Sequence, residues 1–364
     1  MAIKEALRQV VERRDLTEQE AWAAMGEVMD GQATPAQIAA LITAMRMKGE
    51  TVPEIAGFAR AMRERAQRIT PKAETLIDVV GTGGDRLSTF NISTTSAFVV
   101  AASGGYVAKH GNRAVSRLCG SADVLEALGV QIQVAPDVVR RAIEDIGIGF
   151  MFAPIYHAAM KHAVGPRKEI GIRTVFNILG PLTNPAGANY LVVGTYDPAL
   201  TEIMAHVLGE MGARRAMVVH GLDGVDEVST VGPTRISELR NGTVRTHTVT
   251  PADLGLPTAA PEAIAGGRPE ENAAITTAIL QGERSPRRDI VLANAGAALC
   301  AAELAGDWKG GIELARRAID SGATTRSWRR CGCTPARRYL ENKSSQSSLS
   351  PQSTDPAVET GKTG

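Results

Sequence analysis

Leu76-Ile77-Asp78-Val79-Val80-Gly81-Thr82-Gly83-Gly84-Asp85, followed closely by Asn91-Ile92-Ser93-Thr94, is the stretch that sets the fold. Leu76 to Val80 reads as a short apolar strand that delivers three glycines and an aspartate to its C-terminal end. A hydroxyl- and amide-rich segment then opens a helix. Glycine lets backbone N–H groups approach a ligand with no Cβ in the way. The helix N-terminus adds free donors and partial positive charge. Together these features suit phosphate or pyrophosphate. The run lacks the Gly-Lys-Ser/Thr of a nucleotide P-loop and the spacing of a dinucleotide G-x-G-x-x-G turn.

A second polar block lies thirty residues on, a spacing visible in the sequence. Val107-Ala108 leads as a strand into Lys109-His110-Gly111-Asn112-Arg113-Ala114-Val115-Ser116-Arg117, and Cys119-Gly120-Ser121-Ala122-Asp123 starts another helix. Cations, an amide, hydroxyls and glycines in one strand-to-helix connection suit a ligand with several anionic oxygens. Lys109 offers a point charge and Arg113 a planar fork.

Outward from these blocks, the chain divides by periodicity. Residues 1 to about 68 repeat apolar positions at helical spacing over Ile3–Glu12, Thr17–Met29, Thr34–Lys48 and Val52–Arg68. Thr17 with Glu20, and Thr34 before Pro35, are helix-start signals, and Gly31 and Gly49 are stops. From Leu76 the pattern alternates. Strands Leu76–Val80, Tyr106–Lys109, Gly149–Phe152, Tyr190–Tyr196 and Arg215–His220 interleave with helices Ser93–Ser103, Ala122–Leu128, Pro136–Ile146 and Pro198–Met211. Such alternation predicts a parallel-rich sheet covered by helices, with ligands at the strand C-termini. Residues 228 to 250 read as a hairpin turning at Asn241-Gly242, and Pro181 to Pro185 as the break of a helix begun near Thr174.

At 364 residues the chain can bury a large core in two or three domains. Aromatic residues make up only 4%, and the net charge is +1. Both count against a base-stacking surface or a global field for polyanions. The four cysteines, Cys119, Cys300, Cys331 and Cys333, show no metal spacing and fit a reducing cytoplasm. No apolar run reaches membrane-spanning length.

Taken together, Asp-x-x-Gly-Thr-Gly-Gly-Asp, Asn-Ile-Ser-Thr and Lys-His-Gly-Asn-Arg-Ala-Val-Ser closely resemble the anthranilate phosphoribosyltransferase family of tryptophan biosynthesis. The likeness continues through Tyr156 to His162, Gly171 to Pro185 and His220-Gly221-Leu222-Asp223-Gly224-Val225-Asp226-Glu227, and spans about residues 1 to 322. It implies an α/β protein with a small helical domain hinged to a large α/β domain, the active site lying between them. Residues 1–70, with 155–185 packed onto them, would form the helical domain. Residues 71–154 and 186–323 would bind the donor, 5-phosphoribosyl 1-pyrophosphate.

The implied reaction joins anthranilate to that donor and releases pyrophosphate, with two Mg2+ ions, in a cytoplasmic homodimer. Gly81, Gly84 and Asp85 would cradle pyrophosphate and ribose. Thr89, Asn91, Ile92, Ser93 and Thr94 would hold the phosphates, and Lys109, His110, Gly111, Asn112, Arg113, Ala114, Val115, Ser116, Arg117 and Ser121 would complete the donor site. Ser93, Asp226 and Glu227 would serve magnesium, a hard ion content with one or two carboxylates plus substrate oxygens. Arg167 would take the anthranilate carboxylate, beside Gly81 and Asn112, while His110 and His157 line the anthranilate route. Anthranilate's amine is neutral at pH 7, so no general base is required. Arg117 stands where the family usually has a second serine.

Two other readings compete. One is a nucleoside phosphorylase of the same architecture, whose base-reading residues are not evident here. The other is a family-like nucleic-acid binder without transferase activity, which the near-zero charge and the intact Asp226-Glu227 disfavour. Residues 324–364 depart from everything before them. They are Ser-, Pro- and Arg-rich, with seven Lys/Arg against three Asp/Glu from Arg326 onward. They read as a disordered tail. Codons can be chosen for Arg326 to Thr334 whose shifted frame reads Lys-Leu-Glu-Ala-Leu-Arg, the kind of amphipathic helix with which the resembled family usually ends. A reading-frame change and a genuine extension are the two accounts of this tail.

Overall fold

The computed structural model describes residues 1–83, 88–114 and 118–326. Four helices come first: α1 (Ala2–Val11), α2 (Glu18–Met29), α3 (Pro35–Lys48) and α4 (Val52–Glu64). Thr17 and Glu20 close a reciprocal capping box at the start of α2, and Thr34 and Gln37 another at α3. Glu54 does more than cap α4. Fully buried, its carboxylate accepts from the Leu16 and Thr51 N–H groups and from Lys48 Nζ at 2.9, 2.8 and 3.0 Å. One satisfied charge thus ties three helix ends together, since a carboxylate is tolerated inside only when its oxygens are engaged.

Strands and helices alternate through the rest of the chain. In chain order it comprises β1 (Leu76–Gly81), α5 (Ile92–Ala102), β2 (Tyr106–Gly111), α6 (Ser121–Ala127), α7 (Pro136–Ile146), β3 (Ile148–Phe152), α8 (Ala153–Tyr156), α9 (Lys161–Ile170), α10 (Phe176–Leu182), β4 (Tyr190–Gly194) and α11 (Leu200–Glu210). Then come β5 (Arg215–Gly221), β6 (Thr234–Arg240), β7 (Thr243–Val249), α12 (Pro269–Leu280), α13 (Pro286–Ala301) and α14 (Trp308–Asp320). The strands form one sheet in the order β3-β2-β1-β4-β5-β6-β7. Its first five members are parallel, and the β6–β7 hairpin is added antiparallel. Asn241 and Gly242, at φ 50° and 74°, make the hairpin turn that the sequence predicts.

Strand alternation sorts the core into two layers. Ile77, Val79, Val192, Met217 and Val219 face α5, α12 and α13. Val80, Leu191, Val193, Ala216 and Val218 face the other way, in one cluster with Ile38, Leu41 and Ile55 of the N-terminal helices and Ala163, Phe176 and Leu179 of α9 and α10. Crossovers reverse beside β1, because β2 lies to one side and β4 to the other. That is the switch point at which α/β sheets open a ligand crevice.

The helix before Asn184 ends at Leu182, within the expected break at 181 to 185, with Pro181 in its last turn. Two readings need adjusting. Between residues 250 and 322 the periodicity assigns no elements, yet the structure has three long helices. Helix α13 is buried around most of its circumference, with every residue from Ile290 to Ala301 inside. Such a helix has no amphipathic stripe to read, only a continuous apolar run. Finally, residues 323–326 continue in a helical turn, with Thr324 buried and its hydroxyl donating to the Leu280 carbonyl at 2.7 Å. The expected disordered tail does not begin at 324, and residues 327–364 lie outside the described residues.

Candidate active site

The C-terminal ends of β1, β2, β4 and β5 converge on an acidic pair. Asp226 and Glu227 are 2% and 6% exposed, although both sit in a loop. A Cβ on Gly81 or Gly194 would overlap Asp226, so both strand ends must be glycine for the loop to come this close. Asp226 Oδ2 accepts the Gly83 N–H at 2.8 Å, and Glu227 Oε1 accepts the Ser93 N–H at 3.2 Å. The pair therefore bridges the glycine turn and the first turn of α5.

Lys109 reaches the same place from β2. Its Nζ donates to the Val79 carbonyl at 2.6 Å and lies 3.5 Å from Ser93 Oγ. Asp78, fully buried beneath it, accepts from Asn184 Nδ2 at 2.7 Å. Burial pushes the Asp78 carboxyl up to about 6, against the opposing pull of Lys109. Burial pushes Lys109 down from its ordinary value, while Asp78 and Glu227 support its charge. The result is a desolvated cation among carboxylates, a setting in which electrostatic interactions are stronger than in water.

On the far side of β2 the site changes character. His110 and His157 are buried with ring centroids 5.0 Å apart. Burial, aided by the neighbouring ring, lowers His110 to about 3, and burial lowers His157 to about 4, so both imidazoles are neutral at pH 7. His110 Nδ1 faces the Gly180 carbonyl at 3.3 Å, which fixes the proton there and leaves Nε2 as an acceptor. Neither Nε2 has a partner among the described residues. One turn earlier on α10, the Phe176 ring lies 5.1 Å beneath the Arg167 guanidinium. Burial holds Arg167 below its ordinary pKa.

The remaining expected site residues divide. Asn91 precedes α5, and Ser93 and Thr94 occupy its first turn, where Thr94 Oγ1 is buried without a partner among the described residues. Thr89 is buried and bridged to Ala265. Gly111 and Asn112 meet Ser121, whose hydroxyl donates to the Asn112 carbonyl at 3.2 Å. Three of them have partners within the protein. Arg113 pairs with Asp123 and Glu126 of α6 and lies over the Phe152 ring. The Ile92 and Ala114 N–H groups are committed, to the Phe90 carbonyl and to Asp123. Gly84, Asp85, Val115, Ser116 and Arg117 lie outside the described residues.

Two features escaped the sequence reading. A cleft of about 640 Å³, lined by Arg46, Arg173, Tyr196, His220, Asp223 and Gly224, opens beside the glycine turn. Tyr196 N–H reaches Thr82 Oγ1 across that boundary at 3.1 Å. The other is Asn272 on α12, which donates to Asn91 Oδ1 at 2.9 Å. Nothing local marks it, because it lies among ordinary helix-start residues.

The donor set can be tested against magnesium. Asp226 and Glu227 supply hard carboxylate oxygens, and the Ser93 hydroxyl is adjacent. No group of three or more His, Cys, Asp or Glu side chains capable of holding an ion exists among the described residues. One or two carboxylates with ligand oxygens and water are enough for magnesium, a hard ion. No described helix is long and apolar enough to cross a membrane.

Comparison with known proteins agrees with this geometry. Residues 4–66 match the glycosyl transferase family helical bundle domain, and residues 73–325 its a/b domain. The anthranilate phosphoribosyltransferase of Moorella thermoacetica is 56% identical over 321 residues, 88% of this chain and 95% of that protein. Among solved structures, the Thermus thermophilus enzyme aligns with a TM-score of 0.86 at 44% identity, over 90% of this chain and 98% of that one. The Saccharomyces cerevisiae enzyme in complex with PRPP and Mg aligns at 0.81 and 27% identity, over 90% and 96%. The two-domain architecture, the glycine turn clamped by paired carboxylates and this breadth of identity lead to one conclusion: the chain belongs to the anthranilate phosphoribosyltransferase family.

Proposed function

We propose that the chain transfers the phosphoribosyl group of 5-phosphoribosyl 1-pyrophosphate to anthranilate. The observation that carries this is the buried Asp226-Glu227 pair joining the glycine turn to the start of α5 beside Lys109. Ser93, Thr94 and Asn91 present hydroxyl and amide groups to the donor's phosphates at a helix N-terminus. Lys109 adds positive charge where pyrophosphate oxygens gather. Asp226, Glu227 and the Ser93 hydroxyl would hold Mg2+, two ions in the full site, and bound magnesium would stabilise the departing pyrophosphate.

Arg167, backed by the Phe176 ring, receives the anthranilate carboxylate in the desolvated half of the site. The unpartnered Nε2 atoms of His110 and His157 face the amine as acceptors and orient its lone pair. Nitrogen attacks C1 of the ribose, the C1–O bond to pyrophosphate breaks with its electron pair, and the amine proton is released. Positioning and charge stabilisation do the work, so no general base is assigned.

The domain division rests on packing: 155–185 joins 1–70 through Ala163, Phe176 and Leu179. A second copy of the chain would cover the apolar face of the helical part, where Val11, Met47 and Val164 are 64%, 74% and 55% exposed on α1, α3 and α9. Loss of anthranilate fluorescence on mixing protein, donor and magnesium tests the function. Folded protein that leaves the fluorescence unchanged sinks it.

A further inference from the structure

We propose that Asn272 is a positioning residue for the phosphoribosyl donor: it holds the Asn91 amide with its NH2 group turned toward the phosphates. The inference rests on the function proposed above. Asn272 is 1% exposed on the second turn of α12 and 181 residues from Asn91. Its orientation follows from a backbone group that cannot be flipped. Gly267 N–H donates at 2.8 Å to Asn272 Oδ1, so the Asn272 NH2 must face the other way. It meets Asn91 there at 2.9 Å, which obliges Asn91 to present Oδ1 as the acceptor. Cys119 Sγ, at 3.2 Å from the same oxygen, completes the restraint as a second donor. Asn91 Nδ2 is thereby directed to the outer side, where its one acceptor among the described residues is the Cys119 carbonyl at a long 3.4 Å.

A second rung makes this arrangement rigid. Thr276, one turn beyond Asn272 and fully buried, shares a 2.9 Å hydrogen bond with Thr95, one turn beyond Asn91. Residues four apart lie on one helix face. Helix α12 therefore grips α5 through two polar contacts set in an apolar interface. The chain leading into α12 also pairs with the segment after the glycine turn: Gly266 N–H donates to the Ser88 carbonyl at 2.9 Å, and Thr89 bridges Ala265. One structural unit thus fixes both the position of Asn91 and the direction in which its donors point. A wrongly turned amide would aim an oxygen at phosphate oxygens, which repel it.

Asn272→Asp keeps an acceptor for Gly267 but places an oxygen against Asn91 Oδ1, so the Asn91 amide should rotate. The Michaelis constant for 5-phosphoribosyl 1-pyrophosphate should rise about tenfold or more, with that for anthranilate and the unfolding temperature little changed. A residue that only supported the fold would move all three. In an Asn91→Ala background the same substitution should add less than about twofold. Asn91→Asp, which keeps the contact to Asn272 and replaces only the outward NH2, should raise the donor constant likewise and serves if Asn272→Asp fails to fold. A donor constant unchanged in either folded variant, or an undiminished effect in the Asn91→Ala background, overturns the inference alone. Wild-type protein that neither binds the donor by calorimetry nor turns over overturns the proposed function, and this inference with it.

Discussion

The two halves of the candidate site are built in opposite ways. Around Asp226, Glu227 and Lys109 charges are many, mutually engaged, and bonded to the backbone of the glycine turn and of α5. Around His110, His157 and Arg167 the surroundings are desolvated, two ring nitrogens lack partners among the described residues and one cation rests on an aromatic face. Under the proposed reaction the first half would hold a polyanion whose charge must be offset at every stage. The second would receive a small aromatic acid whose amine must stay neutral, so low polarity would be an advantage there and protonated imidazoles harmful.

The largest effect should come from the charged half. Asp226→Asn removes one carboxylate charge and weakens the clamp on Gly83; turnover should fall by roughly 10²–10³. Anthranilate binding measured by fluorescence titration should change little, and an equal loss in both would erase the distinction between the halves. Acid should act next, on the neutral half. Both histidines have folded pKa values below the unfolded 6.5, so the unfolded chain takes up protons first as pH falls. Their contribution is complete above pH 6.5 and is lost on descending toward 4 for His157 and 3 for His110. Urea unfolding at pH 7 and 4.5 should show His157→Gln losing less stability than wild type, by on the order of 2 kcal/mol. Parallel losses would mean that His157 is not desolvated.

Arg167→Ala should raise the Michaelis constant for anthranilate through the loss of about 1.5–3 kcal/mol of charge-assisted bonding, leaving that for the donor nearly unchanged. Equal shifts in steady-state kinetics would remove Arg167 from the acceptor half. The smallest effect belongs to Arg113→Ala. Its guanidinium already serves Asp123, Glu126 and Phe152 at the surface, so the donor constant should stay within about twofold.

Much of the fold was legible because it is written in local periodicity. Thr17 with Glu20 and Thr34 with Gln37 mark helix starts that the structure contains. The alternation Ile77, Val79 against Asp78, Val80 marks a strand buried on both faces. Asn241-Gly242 marks the hairpin. Where periodicity fails, the reading failed with it: α13 is apolar all round, and α12 begins like many exposed helices yet carries Asn272 inward. The ion pairs of Arg113 are hidden for a related reason. Nothing in the linear order shows that α6 brings Asp123 and Glu126 to it.

The sequence by itself determined the motifs, the strand-to-helix alternation and the residue types that suit phosphate, because these depend on neighbours within a few positions. The tertiary structure decided which of those residues meet. Asp226 reaches Gly83 across 143 positions and Asn272 reaches Asn91 across 181. Such contacts exist only once parallel strands have aligned their C-terminal ends and helices have closed over the sheet. The physical reason is that hydrogen bonding and burial act on distance in space, whereas sequence patterns report only distance along the chain.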